Sequence, residues 1–595
     1  MKIKPGKATL ATLIGLTLGA CTSQPYSEPK PSPSLTRNQL NDSSIPPGAQ
    51  LTGHQQIRPS TVITKTERLR KQALSSASEE QPISLASGTL SLKALNQSYV
   101  STAASIPPAP MVQYNDMDGE NYGDLLVNTV TRVTEQPVST FSIDVDTGAY
   151  SNVRRVLNSG QLPPGEAVRV EELINYFDYA YDDQRLKDRP FSLTTEVGPS
   201  PWNSGKHLIH IGIKGMDMAA TELPPSNLVF LVDVSGSMNS AEKLGLLRNS
   251  LKLLTDQMDA EDRISIVVYA GASGVVLEPT PGNDRVSIHH ALNSLTAGGS
   301  TNGGAGIQLA YQLAQQAFIK NGINRVVLAT DCDFNIGTTN FDALIDLVET
   351  RRRGGVALTT LGFGRGNYND HLMEQLADAG NGNHAYIDTL NEAQKVLVDE
   401  ISSTLNTIAS DVKIQVEFNP AVVAEYRLIG YENRALNRED FNNDKVDAGE
   451  IGAGHTVTAI YEVSLAGGGH QTVEPLRYGV KENTDSSFVD ELALLRLRYK
   501  AAHDQSSRLI EEPILVGEIA PQLSDTSNRF RFSAAVAAFG QQLRGGKWLH
   551  QFDYDDVLNL ARGSRGEDRF GYRGEFVKLV NLARSLDSAL QASTN

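Results

Sequence analysis

Three short runs of this 595-residue chain carry the side chains best suited to chemistry. They are Asp233-Val234-Ser235-Gly236-Ser237, Gly298-Gly299-Ser300-Thr301-Asn302-Gly303-Gly304, and Thr330-Asp331. Together they offer two carboxylates and several hydroxyls, all hard oxygen donors. Such a set suits Mg²⁺ or Mn²⁺; zinc favours imidazole and thiolate, which these runs lack. The competing use of the same residues is local, because Asp233 and the serines can also cap a following helix.

For the runs to act together, the chain must bring them to one place. Leu228–Val232 is a continuous apolar run, as expected of a strand buried on both faces. Leu244, Leu247, Leu251, Leu254 and Met258 then recur at three- and four-residue spacing, the stripe of an amphipathic helix. Asn239 is placed to cap that helix, with Glu242 in the capping-box position. Further strand-like runs at Ile264–Tyr269, Arg325–Ala329 and Val356–Gly362 alternate with helix-length segments. That alternation predicts an α/β domain with a mainly parallel sheet and helices on both faces. In such sheets ligands bind at the carboxyl ends of the strands, beside a topological switch point. The three oxygen-bearing runs fall at or beside those ends.

This pattern resembles the von Willebrand factor type A domain and its metal-ion-dependent adhesion site. D-x-S-x-S is complete, and Thr301 and Asp331 follow in order after the right elements. The resemblance implies that Ser235, Ser237 and Thr301 ligate the metal directly, while Asp233 and Asp331 act largely through bound water. One coordination position would remain for a partner's carboxylate. One residue departs from the family pattern: Cys332 follows Asp331 where glycine is usual. The expectation is a tolerated side chain turned into the protein.

Residues 111–595 as a whole resemble a bacterial family of lipoproteins, in which a von Willebrand-type domain lies between an N-terminal region and a C-terminal region of unassigned function. Ser139–Thr147, Gly160–Pro164 and Asp411–Pro420 carry that likeness. No defined catalytic activity comes with it. Strand-like runs at Phe191–Val197 and His207–Lys214 precede the α/β domain, and runs at Val412–Phe418, Tyr426–Gly430, Thr456–Val463 and Leu492–Tyr499 follow it. We expect these to pair across the insertion, so that the α/β domain grows out of a β-sandwich. Asn391–Ala409 reads as the last helix of the α/β domain. Ala534–Leu543, Asp555–Ala561 and Glu575–Leu586 read as a small C-terminal helical unit.

The N-terminus reads as an address. Met1–Ala20 has three lysines, an apolar run and a small-residue end, the form of a secretory signal. Leu18-Gly19-Ala20-Cys21 resembles a bacterial lipobox, which implies diacylation of Cys21 as the membrane anchor. Thr22, where inner-membrane lipoproteins commonly carry Asp, favours the outer membrane. Residues 22–110 are rich in Ser, Pro, Thr and Gln, with Tyr26 and Tyr99 as the only aromatics, so they cannot offset their ordering entropy by burial. As a coil they form a tether spanning roughly 50 Å. The expected organisation is therefore signal peptide 1–20, lipidated Cys and tether 21–110, N-terminal associated region 111–225, von Willebrand-type domain 226–410, β-sandwich 411–525 and helical unit 526–595.

Composition narrows function further. The formal charge is −16, which opposes general binding to nucleic acid. With two cysteines, Cys21 and Cys332, there is no disulfide framework. No G-x-x-x-x-G-K-[ST], G-x-S-x-G, H-E-x-x-H or C-x-x-C occurs, which removes the usual support for nucleotide, serine-hydrolase and zinc-protease readings. Gly362–Gly366 reads as a turn after a strand, His289-His290 as a solvated helix face, and Asp440–Asp444 as a polar turn lacking the glycine and glutamate of a calcium loop. The leading expectation is a non-enzymatic, envelope-anchored lipoprotein that captures an Asp or Glu of a protein partner through the metal. A metal-dependent envelope enzyme using the ion as a Lewis acid is the second reading, weakened by the want of a general base in the three runs. An envelope assembly factor is the third.

Overall fold

The computed structural model describes residues 120–594 apart from 121, 124–126, 144–145, 183–188, 219–222, 332–340, 366–368, 447, 475, 477–487, 502–503 and 505. The segments expected to be the leader and the tether, with Cys21, and the residue Cys332 lie outside the described residues.

The α/β domain is built on a six-stranded sheet in the spatial order His384–Ile387, Ala357–Phe363, Ile323–Thr330, Ser226–Asp233, Arg263–Tyr269, Ser273–Pro281. Every neighbouring pair is parallel except the last, an antiparallel edge formed by Ser273–Pro281. All of Ser226–Asp233 is buried, as its unbroken apolar run requires. Leu244, Leu247, Leu251, Leu254 and Met258 pack on one face of the sheet, and Ile307, Tyr311, Leu344 and Met373 on the other. From Ser226–Asp233 the chain passes first to Arg263–Tyr269 on one side and later to Ile323–Thr330 on the other. This makes the carboxyl end of the central strand the switch point.

The sandwich also forms across the insertion. In one sheet His207–Gly215, which precedes the α/β domain, pairs with Thr456–Leu465, which follows it, placing Ile209 opposite Tyr461. In the other, Val138–Ser142 pairs with Thr407–Phe418, which also pairs with Glu491–Ala501. Ile209, Ile211, Ile414, Val416, Tyr461 and Leu495 meet between the two sheets. The helices Asn528–Leu543, Tyr554–Gly563 and Tyr572–Thr594 do not form a core of their own. They share one with Gly148–Asn158 and Val170–Asn175, where Phe177, Phe532 and Phe576 make edge-to-face contacts.

Two local expectations shift. The helix expected over Asn391–Ala409 ends at Leu405, after a wide π turn at Lys395–Asp399, and the sandwich strand begins at Thr407. Burial of Ile408 and Ala409 in the sandwich core stabilises the extended form beyond another helical turn. The first helix after Asp233 starts later than the Asn239 cap predicts. Gly236–Met238 forms a 3₁₀ turn, and a π turn spans Ala241–Gly245 with Ser240 before it making no side-chain cap. Single π turns of this kind recur at functional sites.

Candidate metal centre

Asp233 ends the central strand and is fully buried. Its Oδ1 accepts the backbone N–H of Ser235 at 2.8 Å. Its Oδ2 accepts the hydroxyls of Thr330 at 3.0 Å and Tyr269 at 3.2 Å. Burial, together with the negative charge of Asp331, pushes the Asp233 carboxyl above its usual range, against the lowering effect of the Ser235 donors. Ser235 and Ser237 point their hydroxyls at each other, 2.9 Å apart.

The second loop is laced to the first by backbone. Gly236 N–H donates to the Gly299 carbonyl at 3.0 Å, and Gly298 N–H donates to the Val234 carbonyl at 2.8 Å. Gly299 has φ +92°, a conformation that a side chain would strain. These bonds bring the loop carrying Thr301 against the serines. Thr301 is half-buried, two residues before the helix Gly303–Gln316. Asp331 follows the strand Ile323–Thr330, is buried, and receives the ammonium of Lys243 at 2.8 Å.

The structure thus draws Asp233, Ser235 and Ser237 together, with Asp331 alongside, and braces the Thr301 loop onto them. Sequence reasoning missed two participants, Tyr269 and Lys243, and gave Thr330 a place in the third run but no role. Tyr269 was legible in principle, because parallel pairing sets it level with Asp233 at the end of the adjacent strand. Thr330 enters because it precedes Asp331 and faces Asp233. Lys243 is a basic residue in the first turn of the helix after the D-x-S-x-S run, but the π turn that places it could not be read from periodicity. His289 and His290 lie on a helix face as expected, His289 beside Asp256. Asp440 closes a capping box with Asn437.

The donor set fits a hard divalent cation. Two buried carboxylates stand close together, the Ser235 and Ser237 hydroxyls meet beside Asp233, and an ammonium sits on Asp331. Among the described residues no group of three or more His, Cys, Asp or Glu side chains could hold a metal ion, so a site here rests on two carboxylates and on hydroxyls.

Comparison with known proteins places the chain. The von Willebrand factor type A domain matches residues 227–400, a von Willebrand factor region matches 116–210, and the C-terminal region of YfbK matches 403–586. The uncharacterized protein YfbK of Escherichia coli (strain K12) is 47% identical over 466 residues, covering 77% of this chain and 80% of that protein. The chain belongs to the YfbK family. It is also 24% identical over 258 residues to human inter-alpha-trypsin inhibitor heavy chain H3, covering 40% of this chain and 29% of that protein. Among solved structures, a von Willebrand factor type A protein from Catenulispora acidiphila aligns with a TM-score of 0.38 and 14% identity, covering 66% of this chain and 91% of that one.

Proposed function

We propose that this YfbK-family protein binds a protein partner through a Mg²⁺ or Mn²⁺ held at the carboxyl end of the central strand. Von Willebrand type A domains commonly mediate protein–protein interactions, and this reading names the means. Ser235, Ser237 and Thr301 would offer hydroxyl ligands, and Asp233 and Asp331 would hold the ion's water. When bound, the ion supplies a positive centre with a position for an Asp or Glu of the partner. The protein's own part is orientation. Thr330, Tyr269 and the Ser235 N–H fix both oxygens of Asp233, and the Gly236–Gly299 bond holds the second loop in place. The single observation that carries the reading is the meeting of Asp233, Ser235, Ser237 and Asp331 at the switch point of the sheet, with the loop that carries Thr301 bonded to the first by its backbone. The role is one of binding rather than catalysis.

The proposed setting is the bacterial outer membrane, with Cys21 diacylated. Cys21→Ser is expected to abolish incorporation of labelled fatty acid while leaving the fold intact, and persistent labelling would refute the anchor. For the binding role, chemical crosslinking in intact cells should compare the native protein with Asp233→Ala. Partners captured by the native protein and lost with the variant, or lost on chelation, support the proposal. An unchanged set of partners in both tests overturns it.

A further inference from the structure

The cation already resting on Asp331 belongs to the protein itself. Lys243 Nζ donates to Asp331 Oδ2 at 2.8 Å, and both side chains are largely or wholly shielded from solvent. The lysine sits in the π turn Ala241–Gly245, and its stem runs close over Gly364, at the end of the strand Ala357–Phe363. A Cβ at Gly364 would lie 2.4 Å from Lys243 Cε and 2.5 Å from its Cγ. Gly364 has φ +81°, and its carbonyl accepts the Tyr386 hydroxyl. The backbone is therefore pinned where its missing side chain leaves room for the lysine. On the neighbouring surface Arg365 pairs with Glu242 at 3.1 Å, so the residues on either side of the lysine's track are tied together.

Building on the metal-binding reading above, we propose that Lys243 is a tethered counter-cation. It neutralises Asp331 when no metal is bound and must yield that carboxylate before the carboxylate can hold the water of an entering divalent ion. An ammonium on a four-carbon stem suits this role. It is a compact point charge that can swing away while its stem stays seated, whereas a guanidinium fork would lock onto the carboxylate. The consequence is a site whose affinity for metal is set below what its oxygen donors alone would give. Ammonium and divalent ion compete for one carboxylate, and each repels the other at short range. Binding of metal and release of Lys243 from Asp331 are then the same event. A partner's carboxylate arriving at the ion would find a freed ammonium beside it.

The test measures Mn²⁺ binding to the purified full chain by calorimetry, together with melting in chelator and in saturating Mn²⁺. The variants are Lys243→Met, Lys243→Arg and Asp233→Ala. Lys243→Met keeps the stem and removes the charge. It is expected to bind Mn²⁺ on the order of tenfold more tightly than the native chain, because the competing charge is gone. It should also melt below the native chain in chelator and regain most of that loss in Mn²⁺. Lys243→Arg, which keeps the charge on a stronger carboxylate partner, should bind no more tightly than the native chain. Equal or weaker Mn²⁺ binding by Lys243→Met overturns the counter-cation role, and if Asp233→Ala abolishes binding in the same experiment, the metal site itself stands. If neither the native chain nor Lys243→Met binds Mn²⁺, the metal-binding reading fails and the counter-cation role fails with it. Binding by Lys243→Met alone supports both.

Discussion

Among the described residues, two of the clusters of buried charge are closed in different ways. Where the α/β domain meets its neighbours, carboxylates from residues 370–392 are met by guanidinium groups from other segments. Arg154 reaches Asp388 at 2.5 Å, Glu392 at 2.7 Å and Glu575 of the last helix at 3.0 Å. Arg169 grips Asp370 and Glu172. Arg434 from the sandwich reaches Glu374 at 2.5 Å and Asp378 at 2.8 Å. Burial alone would raise the Asp370 carboxyl, but Arg169 and His384 hold it well below its usual range. At the candidate metal centre, by contrast, Asp233 accepts from hydroxyl and amide donors, and Asp331 is met by the Lys243 ammonium. The first cluster fastens domains with rigid forks that are always charged. The second keeps its negative charge in reach of a cation that can be exchanged. On the proposed reading, what separates the two is the partner, a fixed guanidinium in the first and a neutral donor or a displaceable ammonium in the second.

The largest effect should come from breaking the fastened cluster. Arg169→Ala leaves Asp370, Glu172 and Glu374 buried around an empty position. Loss of one partner from such a cluster costs about 3–5 kcal/mol. Chemical denaturation should show that loss, while the metal-dependent increment in stability of the folded fraction stays as in the native chain. A loss below about 1 kcal/mol would mean the junction is not fastened by these pairs.

Acid probes a third kind of buried polar group, one closed by neutral hydrogen bonds. His210 lies between Tyr181 and Ser533, at 2.7 and 3.0 Å, and burial pushes its imidazole down to about 3. The unfolded chain takes up this proton near pH 6.5 and the native chain does not. The contribution of His210 to stability is thus complete above about pH 6.5 and falls by about 1.4 kcal/mol per unit as pH drops toward 3. Glu171, whose carboxyl burial pushes up to about 7, acts oppositely between pH 7 and 4.5, so the native slope alone mixes the two. Comparing denaturation of the native chain and His210→Gln between pH 6 and 4 isolates the histidine. The variant should lose about 1.4 kcal/mol less per pH unit, and parallel slopes would show that His210 is not held neutral.

The smallest effect should come from the surface pair beside the candidate metal centre. Glu242 and Arg365 are both exposed, and Arg365→Ala should cost less than about 1 kcal/mol and leave metal affinity within twofold or so of native. A larger drop in affinity would move the boundary of the site outward to include this pair.

Periodicity exposed the parts of the fold in which one segment decides its own state. The buried strand Ser226–Asp233, the stripe from Leu244 to Met258 and the sandwich strands on both sides of the insertion are of this kind. The antiparallel edge Ser273–Pro281 and the short strand His384–Ile387 escaped because pairing with a neighbour, not their own pattern, makes them strands. The end of the last α/β helix was misplaced for a related reason, since Ile408 suits a helix stripe and a sandwich core alike. Of the site, the residues on the D-x-S-x-S, Thr301 and Asp331 loops were readable because motif spacing carries them. Tyr269 and Lys243 depend on strand register and on a π turn, and the bond from Thr330 to Asp233 depends on register as well. The sharing of one core by the helices at 148–175 and 528–594 is a tertiary fact that no local window contains.

The central claim is that the oxygen donors at the switch point hold a divalent ion. Its most direct test is the melting of the purified chain in chelator and in Mg²⁺ or Mn²⁺, with Asp233→Ala and Thr301→Ala beside the native protein. An ion that binds only the folded state adds about 2.7 kcal/mol at about a hundredfold excess over its Kd. The native chain should therefore melt several degrees higher with metal, and both variants should lose most of that increment whatever their melting points in chelator. An increment equal to native in both variants would contradict the account.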